Sequence, residues 1–362
     1  MSNNEKSPYC FPRLEIDLAR IAHNAGKVVE IFGSRGIEIT GITKGVCGDP
    51  DIARLMVNSG IKCLGDSRIE NIEKMKNAGV NAQFMLLRSP FLSRIKQVVQ
   101  YADISLNSEL SIIRALSDHA RKIGRIHEII LMVELGDLRE GIMPVDLDQT
   151  IEQALLLHNI RLKGIGTNLA CLSGVIPDQE KMDALSSLAE SIEHKFGLSL
   201  KTVSGGNSGN YDWFVSSKNT GRINNLRIGE AILLGRETLH RNPIPGLFTD
   251  AFVLYAEVIE AKKKPSAPFG KMAQNVLGES PSLEDRGMMN RALAGIGLQD
   301  VHIAGLTPKS QIKIIGATSD HIVLDSGESD LTPGQAVSFD LNYIALCAAM
   351  ASPYVQKVKK QY

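Results

Sequence analysis

The sequence predicts an α/β protein: a closed (β/α)8 TIM barrel followed by a smaller, C-terminal all-β domain. Two observations carry this reading. First, short apolar runs stop at glycine or polar residues and give way to amphipathic helical stretches, about eight times in about 200 residues, which matches the barrel in number and length. Second, beyond Pro243-Ile244-Pro245-Gly246 the texture changes to short β-rich runs separated by Gly, Pro, Asn and Asp. Strands alternating with helices argue for a parallel sheet, and closure removes its edges. An open doubly wound sheet is the structural rival. No G-x-G-x-x-G follows the first strand, which weakens that rival.

In chain order, a polar leader runs from Met1 to Pro12. Leu14-Glu15-Ile16-Asp17-Leu18 then alternates like a strand, with Asp17 placed to cap a helix through Val29. The barrel runs are Glu38–Lys44, Lys62–Ser67, Gln83–Arg88, Ile104–Ser108, Glu128–Leu135, Leu162–Asn168, Thr202–Gly206 and Leu226–Leu234. Helical patterns between them include Asp51–Ser59, Arg68–Asn77, Glu109–Lys122, Asp148–His158 and Gln179–Phe196. The boundary is placed near residue 245, giving a barrel over 1–245 and a β domain over 246–362. The β runs are Ala251–Ile259, Gly270–Val276, Arg291–Leu298, Gln311–Gly316, His321–Leu324 and Ala336–Leu341. The tail from Asn342 reads as one more strand or a loop folding back on the barrel.

Composition excludes several function classes. Forty basic residues balance forty acidic ones, so nothing suggests a nucleic-acid or membrane surface. An aromatic content of 5% also disfavours base-stacking platforms. The five cysteines are scattered and form no C-x-x-C pair, a pattern of reduced thiols rather than a disulfide frame or a zinc site. The leader has no apolar core, so we expect no secretory signal and a cytoplasmic location. No stretch approaches the length of a membrane span.

The candidate chemistry lies at strand ends. Ile37-Glu38-Ile39-Thr40-Gly41-Ile42-Thr43-Lys44 is a buried-strand pattern that ends on a lysine and breaks into Gly45, Gly48 and Pro50. In parallel β/α proteins the C-terminal strand ends carry the chemistry. A lysine held there, partly desolvated, can serve as the amine nucleophile that a carbonyl cofactor requires. Ser204-Gly205-Gly206-Asn207-Ser208-Gly209 ends the seventh barrel strand, where backbone N–H groups and the Ser208 hydroxyl can cradle a phosphate. Asn225-Leu226-Arg227-Ile228-Gly229-Glu230 lies on the eighth. A glycine-rich loop alone is usually only a turn; joined to a strand-one lysine and a strand-eight arginine it is far more specific.

These residues resemble the alanine racemase-like group of pyridoxal-phosphate enzymes (fold type III), in which a barrel is followed by a β domain. Within the group, Thr43-Lys44-Gly45-Val46-Cys47-Gly48-Asp49-Pro50, Asp66-Ser67-Arg68-Ile69-Glu70-Asn71, Ala102-Asp103-Ile104-Ser105-Leu106-Asn107-Ser108-Glu109, Asn342-Tyr343 and Ser352-Pro353-Tyr354-Val355 are similar to the ornithine racemase subfamily. The resemblance implies that Lys44 carries pyridoxal 5'-phosphate as a Schiff base. It implies that Arg227 faces the pyridine nitrogen, and that Ser208 with the backbone of Gly229 and Glu230 holds the phosphate. Asn168 stands where alanine racemases have a histidine near the ring, Arg139 resembles the arginine near the substrate carboxylate, and Tyr354 the tyrosine that reaches the phosphate. An arginine is always charged and accepts no proton; related decarboxylases place a carboxylate at the Arg227 position, which favours racemase over decarboxylase.

One departure matters. The group's second base is a tyrosine from the partner subunit, and Gly295-Ile296-Gly297-Leu298-Gln299-Asp300-Val301-His302 contains none. Racemisation needs acid/base groups on both faces of the substrate, or one that swings between them. Asp300 is the candidate for the second group, or for holding a distal substrate ammonium; His302, Cys47 and Tyr343 are alternatives. The implied function is a homodimeric racemase of a basic amino acid, ornithine first, with its active site completed across the interface and no metal. Racemisation of lysine, alanine or serine is an alternative. So is aldolase or dehydratase chemistry on D-hydroxy amino acids, for which Asp300-x-His302 is a faint metal-binding echo. A non-catalytic cofactor-binding role fits less well, because such relatives lack a β domain.

Overall fold

The computed structural model describes residues 10–274, 278 and 284–360. Its strands are β1 (Arg13–Asp17), β2 (Glu38–Ile42), β3 (Cys63–Asp66), β4 (Gln83–Leu86), β5 (Ile104–Asn107), β6 (His127–Met132), β7 (Ile160–Gly166), β8 (Thr202–Ser204) and β9 (Asn225–Ile228), followed by β10 (Phe252–Pro265), β11 (Met288–Ala294), β12 (Leu306–Pro308), β13 (Lys313–Ala317), β14 (Ile322–Asp325), β15 (Ala336–Leu341) and β16 (Gln356–Lys360). The helices are α1 (Leu18–Gly33), α2 (Pro50–Asn58), α3 (Ile69–Asn77), α4 (Ile95–Tyr101), α5 (Leu110–Lys122), α6 (Leu147–Leu155), α7 (Gln179–Phe196), α8 (Tyr211–Ser216), α9 (Glu230–Leu234) and α10 (Tyr343–Ala351). Residues 18–249 form one compact unit; the described residues up to 17, with those from 250 onward, form another.

In the first unit β2 to β9 run parallel in sequential order, and β9 closes on β2 with Thr40 opposite Arg227. Met85, Ile104, Leu106, Ile130 and Met132 pack together as one buried cluster on neighbouring strands. Alternate residues face the helices, whose apolar stripes meet them: α5 buries Ile113, Leu116, Ser117 and Ala120, the spacing of one helix face. Helix ends carry their own signals. Asp49 caps α2 by accepting from Asp51 and Ile52 N–H, and Asp178 caps α7 by accepting from Lys181 N–H. The barrel has one irregular seam, where β6–β7 pairing slips and leaves Lys163 as an extra residue. The next residue must be glycine, because a Cβ on Gly164 would lie 1.8 Å from the Thr202 carbonyl oxygen.

The second unit is an antiparallel sheet in the order β12-β15-β10-β11-β14-β13, with β1 joined to β10 and β16. Here the structure differs from the sequence expectation. The opening strand, read as the start of a barrel domain over 1–245, pairs antiparallel with β10 and parallel with β16. Its alternation with Leu14 and Ile16 fully buried identifies a strand but not its partner. The chain leaves the barrel unit after residue 249 rather than near 245. The tail is neither one strand nor a loop: Asn342 accepts from Ala345 N–H and starts α10, and β16 follows. That helix is apolar on nearly every face, so it carries no 3.6-residue periodicity to read. Of the expected run Gly270–Val276, residues 275 and 276 lie outside the described residues, and 270–274 form no strand.

The seam gives a direct test. Gly164→Ala should lower unfolding stability by about 1–3 kcal/mol, the cost of overpacking a closely packed interior. Gly26→Ala in α1, where a new methyl meets nothing within 4 Å, should raise it by about 0.5–1 kcal/mol. Urea unfolding reads both; equal midpoints for Gly164→Ala and the parent protein would contradict the seam.

Candidate active site at the C-terminal end of the barrel

Lys44 stands just beyond β2, where Thr43 leads into a short 3-10 turn over Lys44–Val46 that ends at left-handed Cys47, φ 52°. The turn is held from below. The fully buried Thr43 donates its hydroxyl to Asp66 Oδ2 at 2.8 Å, and Asp66 also accepts from Arg68 N–H at 2.9 Å and Asn71 Nδ2 at 3.0 Å. Burial pushes the Asp66 carboxyl above its ordinary value, against these hydrogen bonds and the charge of Lys44. Gly48 closes the turn against α3, since a Cβ there would lie 2.7 Å from Asn71 Cβ. Lys44 itself is exposed, between buried Thr43 and buried Gly45. The lysine thus stands on a fixed base.

Arg227, on β9 beside β2, is 5% exposed. Its guanidinium donates to Ser204 Oγ at 2.6 Å, to the Thr167 carbonyl at 2.7 Å and to Asn168 Oδ1 at 3.3 Å. Burial, with Arg139 acting in the same sense, pulls its pKa down to about 10, still ionised near neutrality. Asn168 must offer its oxygen to a group that only donates, so its amide orientation is settled, and its Nδ2 is buried with no hydrogen-bond partner. A buried donor aimed at nothing in the protein fits a site that takes an acceptor from a ligand.

The loop after β8 forms the third part. Gly206 has φ 144°, and a Cβ there would lie 2.2 Å from Asn210 Oδ1, so the backbone closes a tight turn only glycine allows. Asn207 and Asn210 cap one another reciprocally and present Ser208, whose Oγ accepts from Ala231 N–H at 3.2 Å in the first turn of α9. Gly229 packs against Ile42 at the end of β2, where a Cβ would come within 3.0 Å. Ser208, Gly229, Glu230, Arg227 and the Lys44 turn therefore sit on or just beyond adjoining strand ends. The Glu230 side chain points elsewhere in function: burial pushes its carboxyl up to about 7, while Arg241, 3.4 Å away, opposes the shift.

Arg139 lies on the loop after β6, paired with Glu140 and donating to Cys171 Sγ at 3.1 Å. It is close enough to Arg227 to repel it. The loop is clamped by Asp137, fully buried, whose carboxylate accepts the N–H groups of Cys171, Leu172, Ser173 and Val175. Asp137 was legible in the sequence only as the neighbour of Arg139. Asp66, Ser204 and Asn225 were likewise quoted in motifs without a role.

In the β unit, Asp300 and Tyr354 meet through one side chain. Ser352 donates its hydroxyl to Asp300 Oδ1 at 2.7 Å and accepts Tyr354 N–H at 3.2 Å. The Tyr354 ring is exposed. His302 is exposed as well. Among the described residues no group of three or more His, Cys, Asp or Glu is arranged to hold a metal. No helix of the described residues is long and apolar enough to cross a membrane.

Glu230 makes the stability of the fold pH-dependent in a defined direction. Its folded pKa, about 7, lies above the ordinary 4.5, so its burial favours the protonated form and that stabilisation is lost as pH rises through 7. Between about pH 5 and 8, the protein should lose at most about 3 kcal/mol of stability relative to Glu230→Gln. Parallel denaturation curves for the two proteins across that range would refute it.

The family described as alanine racemase, N-terminal domain, matches residues 16–237. A lysine racemase of Thermotoga maritima is 39% identical over 350 residues, 96% of this chain and 98% of that protein. An ornithine racemase of Acetoanaerobium sticklandii is 37% identical over 351 residues, 96% of this chain and 99% of that protein. The crystal structure of alanine racemase from D-cycloserine producing Streptomyces lavendulae shares the fold, with a TM-score of 0.73 at 16% identity, covering 98% of each chain. A lysine at the mouth of a closed parallel barrel, a buried arginine on the adjoining strand and full-length relatedness to racemases lead to one assignment: the chain belongs to the alanine racemase family and is an amino-acid racemase.

Proposed function

We propose that this chain is a pyridoxal-phosphate-dependent racemase of a basic amino acid, with ornithine the first substrate and lysine the second. The observation that carries it is Arg227: a buried, ionised guanidinium with only neutral acceptors, one strand from Lys44. The relatives named ornithine and lysine racemase support the substrate class. The cofactor fits the residues present, because the orphaned Asn168 Nδ2 and the turn at Gly206 leave a donor and a close backbone for a phosphorylated ring.

Pyridoxal phosphate, when bound, supplies an electron sink that allows the Cα–H bond of an amino acid to ionise. Lys44 would anchor it through its amine and move the proton on one face of Cα. Arg227 would meet the ring nitrogen as a donor that stays charged, keeping a further proton off that atom and the sink weak. Ser208 and the backbone of Gly229 and Glu230 would hold the phosphate, joined by Tyr354. Asn168 would donate Nδ2 to a ring or substrate oxygen, and Arg139 would take the substrate carboxylate. Asp300, oriented by Ser352, would act on the opposite face of Cα or bind the distal ammonium. The protein would work as a cytoplasmic homodimer.

Purified protein with pyridoxal phosphate should interconvert L- and D-ornithine, read by chiral chromatography, with lysine, alanine and serine compared in parallel. Lys44→Ala should abolish the visible absorbance of bound cofactor and cut turnover at least about 1,000-fold. Failure with all four amino acids would sink the substrate class, and a Lys44→Ala protein of unchanged absorbance and rate would sink the role of Lys44.

A further inference from the structure

The guanidinium of Arg227 is the end of a longer hydrogen-bonded chain inside the barrel. Ser204 has one hydroxyl proton, and the guanidinium offers it no acceptor. That proton goes to Asn225 Oδ1, at 2.6 Å. Asn225 cannot flip its amide, because Nδ2 already donates to Thr40 Oγ1 at 3.0 Å and to the Glu38 carbonyl at 3.3 Å. Every bond therefore donates in the same sense, from Arg227 through Ser204 and Asn225 to β2. Ser204 and Thr40 are fully buried and Asn225 nearly so. Aligned donors polarise one another in a low dielectric. None of the direct acceptors of Arg227 is a carboxylate.

We propose that Ser204 and Asn225 are positioning residues for Arg227: they fix the direction of its guanidinium without setting a carboxylate directly against it, although neither would touch the cofactor. Water could not do this, because it would reorient. A carboxylate could not, because it would neutralise the cation. The inference rests on the reading of Arg227 as the partner of the ring nitrogen.

The test compares two ligands on apo protein: pyridoxal phosphate, and its ring analogue in which a C–H replaces the pyridine nitrogen. The parent protein should bind the nitrogen-containing ring more tightly. Ser204→Ala should remove about tenfold of that preference, the worth of a hydrogen bond to a charged group, while affinity for the analogue stays within about twofold. Asn225→Ala should act in the same direction, and Ser204→Thr, which keeps the hydroxyl, should restore the preference. An unchanged preference in Ser204→Ala overturns the proposal. So does an equal loss for both ligands, which would mean a merely structural role. A parent protein with no preference at all would overturn the reading of Arg227 itself, and with it this one.

Discussion

Burying a guanidinium is costly unless its donors are satisfied, and the usual solution is a carboxylate partner. Around Arg227 the barrel offers a hydroxyl, a carbonyl and an amide oxygen. Those acceptors satisfy donors without cancelling charge. Much of the local sequence follows from that constraint. Ser204 and Asn225 must be polar although both are buried in the barrel, Asn168 must present its oxygen, and Arg139 must keep its own charge engaged with Glu140. Replacing the Ser204 or Asn168 acceptor by a carboxylate would set a counter-charge against the guanidinium and make the site chemically different.

The second requirement is rigidity at the barrel mouth, met by buried carboxylates rather than by apolar packing. Asp66 collects three donors beneath the Lys44 turn, and Asp137 collects four backbone N–H groups between two loops. Loops carry no ladder of their own, so their N–H groups need such acceptors when they leave water. Each carboxylate stands beside a cation of the site, Asp66 beside Lys44 and Asp137 two residues from Arg139. The same side chains therefore hold the loops and shape the field in which the cations work.

How much of this was legible in the sequence depends on the range of the interaction. All eight barrel strands were located, because a buried parallel strand is a continuous apolar run with a turn at its end, and Lys44 stood out just past one such end. The ends were overrun, most of all in Leu226–Leu234, where β9 stops at Ile228 and Glu230–Leu234 is α9. Arg227, Ser208 and Gly229 were singled out through motif and resemblance. Pairing partners were not: Leu14 and Ile16 show a strand, and nothing local says that its neighbours lie some 240 and 340 residues on, opposite Tyr255 and Lys357. The helix α10 escaped because Tyr343–Ala351 has no polar face. Ser204 and Asn225 escaped for another reason, since a serine or an asparagine on a strand has no meaning until its proton has a direction.

That last point separates the two questions an amino-acid racemase must answer. Which reaction follows from Cα–H cleavage is decided by charge next to the ring, and on the reading proposed for Arg227 that decision is made within the barrel unit. Which amino acid enters is decided by groups that meet the side chain, and on the function proposed above Asp300, anchored by Ser352 in the β unit, would be the acidic group that meets a distal ammonium. Two separate sets of residues allow one to change while the other is held. Relatives that differ in substrate name but share the family barrel are what such a division would produce, because a new side-chain pocket need not disturb the acceptors around a buried cation.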